Sequence, residues 1–121
     1  MKQMPAEPRA LQIYVTADGK RPFQEWLDSL KDYEAQGRVL ARLERVRLGL
    51  TGDSRSVGAG VSELRIDAGP GYRVYFGQEG RSIVILLCGG SKATQRKNIT
   101  EARAFLKDYR SRKDAKKRTV R

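Results

Sequence analysis

Residues 83–88 read IVILLC, six apolar side chains with no polar position among them. A half-exposed strand would alternate, and a buried helix would run longer. The segment therefore reads as a strand covered on both faces, at the centre of a sheet. It is far short of the ~18 apolar residues that a membrane span needs. Two further strand-like runs precede it, about 61–67 and 72–77, joined by the turn sequence DAGPG. Consecutive strands with short turns imply antiparallel pairing.

The remaining chain supplies one more strand and three helices. ALQIYVT (10–16) alternates Leu11, Ile13 and Val15 against Gln12 and Tyr14, and ADGK breaks it. Pro22 suits the first turn of a helix, and Phe23, Trp26, Leu27 and Leu30 follow at helical spacing. A second helix is expected over about 32–50, with Val39, Leu40, Leu43, Val46 and Leu50 as its apolar stripe and Arg38, Arg42, Glu44, Arg45 and Arg47 on the other face. Gly49 and Gly52 end it. TGDSRSVGAG (51–60) reads as a flexible loop carrying Arg55, and GGSKATQ (89–95) as a turn. The last helix, about 96–110, buries Ile99, Ala102, Phe105, Leu106 and Tyr109 and carries Arg96 and Lys97 in its first turn.

Strand, helix, helix, three strands, helix describes an α+β fold. The expected form is an antiparallel sheet of about four strands, with an N-terminal helical hairpin and a C-terminal helix on one face. Residues 1–110 form one domain, its first nine residues a loose lead-in. Residues 111–121 are expected to be a flexible basic tail, since RSRKDAKKRTVR holds seven basic residues in twelve.

Charge narrows the partners. There are 25 Lys and Arg against 14 Asp and Glu, a net +11. That balance favours a polyanion: nucleic acid first, an acidic protein segment second, an anionic membrane third. No histidine is present, so acid–base chemistry must use Lys, Arg, Tyr or a carboxylate, and a histidine triad or histidine zinc site is excluded. The single cysteine, Cys88, reads as a small buried strand residue. No metal or cofactor is expected. MKQMPAEPRA lacks the apolar stretch of a signal peptide, so a cytoplasmic location is expected.

The chemistry concentrates in ELRIDAGPGYRVYF (63–76). Alternation turns Leu64, Ile66, Tyr72, Val74 and Phe76 toward the core and leaves Glu63, Arg65, Arg73 and Tyr75 on the opposite, uncovered face. Lys92, just after the central strand, can overhang that face. Guanidinium forks hold phosphate oxygens and a phenol ring stacks on a base, which suits RNA. RNA carries its own nucleophile, the 2′-OH, so cleavage needs alignment, a proton acceptor, charge neutralisation and a proton donor. Glu63 is either the base or the group that orients Arg65.

GVSELRIDAGPGYRVYF, followed by an apolar strand and GGSKATQRKNITEA, resembles the RelE/ParE superfamily of bacterial toxins, specifically the HigB-like addiction module killer branch. The likeness covers about residues 10–110 and implies a RelE-like fold related to microbial ribonucleases. It further implies a ribosome-dependent mRNA endonuclease restrained by a cognate, helix-turn-helix (HigA-like) antitoxin. By that likeness Arg65 matches the strand arginine on the scissile phosphate and Lys92 a basic residue after the central strand. Arg73 and Tyr75 match the YR…Y of the neighbouring strand. Arg42, Arg45, Arg55, Arg96 and Lys97 are expected to bind RNA. The catalytic tyrosine near the C-terminus of RelE is replaced by Asn98. Two other functions share these features: a ParE-like inhibitor of DNA gyrase without nuclease activity, and a non-catalytic nucleic-acid-binding module.

Overall fold

A computed structural model describes residues 8–119 of the chain. The elements are β1 (Ala10–Ile13), α1 (Pro22–Ser29), α2 (Tyr33–Arg47), β2 (Ser54–Ser56), β3 (Ser62–Ile66), β4 (Tyr72–Glu79), β5 (Ile83–Ser91) and α3 (Gln95–Thr119), with a short 3₁₀ turn, Lys92–Thr94, leading into α3. The sheet has five strands in the order β1-β5-β4-β3-β2. β5 is flanked on both sides, as its apolar run required.

Two features of the expected sheet are corrected. β1 pairs parallel to β5, Leu11 opposite Val84 and Ile13 opposite Leu86, so the sheet is mixed rather than antiparallel. The helical hairpin lies between β1 and the rest of the sheet in the chain, and such a crossover frees β1 from antiparallel pairing with its sequence neighbour. Residues 54–56, assigned to a loop, are an edge strand that places Arg55 opposite Glu63. With only Ser, Arg and Ser in it, β2 has no apolar pattern to announce it.

The helices do not share one face. Phe23 and Leu27 of α1, with Val39, Leu43 and Val46 of α2, pack on Leu64, Ile66, Val74, Phe76, Val84 and Leu86. Ala102 and Leu106 of α3 pack on the other face, against Val61, Tyr75, Ile85, Leu87 and Cys88. Fully burying one such aliphatic side chain stabilises the fold by roughly 1.5–3 kcal/mol. The face expected to be open therefore carries a second core. Leu40, assigned to the α2 stripe, is instead 52% exposed.

β5 reaches both cores by alternation, Val84 and Leu86 on one side and Ile85 and Leu87 on the other, and carries a bulge. Tyr75 pairs with Cys88 and Phe76 with Leu86, which leaves Leu87 without a partner. Leu87 and Cys88 then both join the α3-side core. After the bulge, ahead of the terminal Ser91, come two glycines pressed by opposite helices. A Cβ on Gly89 would fall 2.2 Å from Trp26 Cε3 of α1, and one on Gly90 2.0 Å from Asn98 Oδ1 of α3.

α2 is capped by Asp32, whose carboxylate accepts from Glu34 N at 3.0 Å and Ala35 N at 3.3 Å. α3 does not stop near 110. Asp108 accepts from Tyr14 Oη at 2.6 Å and from Arg112 at 2.7 Å, and Lys113 Nζ lies 2.5 Å from Glu79. These contacts carry the helix into the segment expected to be a loose tail. At the other end Arg9, placed in the lead-in, is buried, and its N–H donates to Arg47 O at 2.7 Å. Residues 1–7 of that lead-in lie outside the described residues.

Candidate nucleic-acid interface

In the β3–β4 ladder Arg65 stands opposite Arg73, and Glu63 opposite Tyr75. The Lys92 N–H donates to Gly71 O at 2.9 Å, tying the end of β5 to the β3–β4 turn. The result is an open cleft of about 290 Å³ lined by Arg65, Arg73, Lys92, Asp53, Asp67 and Gly71, with Ile66 beside them. Three of the candidate residues thus meet, one from each of three successive segments.

Their environments differ. Arg65 is exposed, its Nε 3.4 Å from the Asp53 carboxylate. Arg73 is buried, with 8% of its surface exposed. One of its terminal nitrogens donates to Gly71 O at 3.2 Å, while its Nε has no hydrogen-bond partner and stands 3.7 Å from Glu63 Oε2. Lys92 is exposed and has no ion pair among the described residues.

Glu63 and Tyr75 are beneath this cleft, not in it. Both are fully buried, because α3 covers the face that alternation left open. The Glu63 carboxylate accepts from Gln95 Nε2 at 2.8 Å, Tyr75 Oη at 2.9 Å and Arg55 Nε at 3.0 Å. Burial alone would raise its pKa, but the hydrogen bonds from Gln95, Arg55 and Tyr75 outweigh it and hold the group below the usual carboxylate range. Burial first, and the hydrogen bond to Glu63 second, push the Tyr75 phenol up, so it remains a donor. Glu63 therefore pairs with Arg55 and Arg73 rather than with Arg65, and both Glu63 and Tyr75 are shut off from the surface of the cleft.

The other candidate cations are dispersed. Arg42 donates to Arg65 O at 2.7 Å and to Thr51 O at 3.2 Å, so its guanidinium ties α2 to the start of the β3 exit. Arg45 lines, with Arg38, Ala41 and Arg42, a groove of about 390 Å³ that meets the cleft at Ile66 and Asp67. Arg55 is half-exposed on the edge strand, and Arg96 and Lys97 are exposed in the first turn of α3. Cys88 is buried with its thiol pushed up to about 12 by burial, as fits a core residue.

Three residues escaped the sequence reading. Gln95 closes the GGSKATQ segment, and its position at the start of α3 was the available signal. Asp53 and Asp67 flank the arginine strand, and only their nearness to Arg65 along the chain pointed to them. No helix of the described residues is long and apolar enough to cross a membrane.

Comparison with known proteins gives two matches. A family profile described as "Phage derived protein Gp49-like" matches residues 25–109, a span that holds every residue of the cleft. A protein of Haemophilus influenzae strain Rd, described only as uncharacterized, is 45% identical over 86 residues, covering 71% of this chain and 87% of that protein.

Proposed function

Since the chain belongs to the phage-derived Gp49-like family, we propose that it is the toxin of a toxin–antitoxin module and acts on messenger RNA at the ribosome as an endoribonuclease. In this reading it is a HigB-like member of the RelE/ParE superfamily, works in the cytoplasm and is restrained by a helix-turn-helix antitoxin. One observation carries the proposal. Arg65, Arg73 and Lys92 converge on one cleft, and the buried Arg73 keeps an Nε–H without a hydrogen-bond partner. Such an arrangement suits a phosphodiester, whose oxygens accept from guanidinium forks at two points.

The chemistry follows from what surrounds that phosphate. The ribose 2′-oxygen attacks the adjacent phosphorus, the bond to the 5′-oxygen breaks, and a 2′,3′-cyclic phosphate and a 5′-hydroxyl result. Asp67, a cleft carboxylate with no ion pair among the described residues, takes the 2′-OH proton. Arg73 and Arg65 neutralise the charge that builds on the phosphoryl oxygens. The Lys92 ammonium returns a proton to the leaving 5′-oxygen.

Primer extension on cellular mRNA during expression tests this. Wild type should produce discrete stops within translated messages, and Arg65→Ala should remove them. Intact mRNA, with Arg65→Ala and Lys92→Ala as growth-inhibitory as wild type, would overturn it. DNA damage accompanying that result would identify the gyrase-directed alternative.

A further inference from the structure

A second basic surface lies on α3, away from the cleft. Arg96, Arg103, Lys107 and Arg110 recur at spacings of seven, four and three residues and are all exposed, so they form one stripe along the helix. At 1.5 Å per residue the stripe is about 21 Å long. None of the four forms an ion pair among the described residues. Acids elsewhere on the helix are engaged: Asp108 accepts from Tyr14 and Arg112, and Glu101 from Asn98 at 3.2 Å.

The stripe borders a groove of about 650 Å³ between α3 and the turn that joins β2 to β3. That turn is Gly58-Ala59-Gly60, all three at positive φ. Its lack of bulk lets the arginines lie against it: a Cβ on Gly58 would come 3.1 Å from an Arg103 terminal nitrogen, and one on Gly60 2.9 Å from Arg110. Arg103 is further fixed by donating Nε–H to Val57 O at 2.9 Å. Arg103 is thus held in place before any ligand arrives, which lowers the ordering cost of binding.

The lining identifies the partner. It contains no aromatic ring, so there is no platform on which an unstacked base could lie, and a single strand is poorly served. It does contain Ser111 and Asp114 beside Arg110. A carboxylate is out of place against a phosphate but accepts readily from a ribose hydroxyl, the group that separates RNA from DNA. We propose that this groove docks the backbone of an RNA duplex, its cations on phosphates and Ser111 and Asp114 on 2′-hydroxyls. The site stands whether or not the cleft cuts RNA.

The test is fluorescence anisotropy of the full chain with a blunt 16-base-pair RNA duplex, the matching DNA duplex, a single-stranded RNA and polyglutamate, over a range of salt. The RNA duplex should bind tightest. Lys107→Ala/Arg110→Ala should weaken it by about tenfold and lower the log–log salt slope by about 2, since each phosphate contact contributes about 0.9. Asp114→Asn should shrink the preference for RNA over DNA. Arg65→Ala/Lys92→Ala removes as much charge from the cleft and should weaken duplex binding far less than Lys107→Ala/Arg110→Ala. The latter should in turn leave mRNA cleavage chemistry in place, so failure of the cleft reading and failure of this one are separate results. Unchanged affinity and slope in Lys107→Ala/Arg110→Ala, with native circular dichroism, would overturn the proposal. So would binding of the DNA duplex, the single strand or polyglutamate as tight as that of the RNA duplex.

Discussion

Arg65 and Arg73 face one another across the β3–β4 ladder, two guanidinium side chains at directly opposed positions on one sheet surface. Like charges so placed repel. Each has its own counter-ion, Asp53 at 3.4 Å and Glu63 at 3.7 Å, and neither distance is that of a short, two-point pair. The repulsion is moderated rather than removed, and an anion bound between the two arginines would relieve it.

Arg65→Ala is accordingly expected to leave stability within about 0.5 kcal/mol of wild type, because an exposed, loosely paired arginine contributes little. mRNA cleavage by the same variant should fall by about 100-fold or more. Urea unfolding and primer extension on one preparation would check both halves.

Glu63→Ala should destabilise the fold by about 3 kcal/mol, since it leaves buried Arg73 without its counter-ion and Tyr75 and Gln95 without their shared acceptor. Glu63→Gln keeps the shape and one acceptor and should cost less. Chemical denaturation of the two variants side by side would show the difference.

The same carboxylate sets an acid limit. Its folded-state pKa is lowered, so its contribution is present above the unfolded value of about 4.3 and is lost as pH falls through the folded value. Tyr75 sets the opposite limit. Its folded pKa is raised, so its contribution holds below about 10 and is lost as pH rises further. A plot of unfolding free energy against pH should lose both shoulders in a Glu63→Gln/Tyr75→Phe double variant.

Asp67→Asn should lower kcat of cleavage with little change in KM, because the proposed base acts on the proton and not on phosphate binding. An unchanged kcat would move the base elsewhere in the cleft.

Gly90→Ala should cost about 1–3 kcal/mol, since the new methyl would meet the Asn98 side chain. Asn98→Ala removes the closest contact and leaves Thr94 Oγ1 at 2.8 Å, so the two substitutions together should cost less than their sum. A double-mutant cycle by thermal unfolding would read the coupling.

How much of this was legible in the sequence depended on range. The apolar run 83–88 located an interior strand, though β4 and not β5 is the middle one, and alternation in 63–76 correctly separated Leu64, Val74 and Phe76 from Glu63, Arg73 and Tyr75. Which helix covers each side is a tertiary fact. α3 was recognised as amphipathic from Ala102 and Leu106, but no local pattern said that it packs over Tyr75. That gap left Glu63 and Tyr75 on an apparently open face, although both are buried. β1 failed for a related reason: its alternation marked a strand without saying which neighbour it joins. The convergence of Arg65, Arg73 and Lys92 was accessible because all three lie within 28 consecutive residues connected by tight turns.

The unpaired Leu87 has a consequence for chain length. Removing one residue from a central strand ordinarily slides every later side chain to the wrong face. Here Cys88 would still meet Tyr75 and Leu86 would still meet Phe76 if Leu87 were deleted, since it faces neither. The middle of β5 is thus a point where the protein could lose a residue and keep its strand register, at the loss of one buried leucine and of the bend that the extra residue puts into the strand ahead of Lys92.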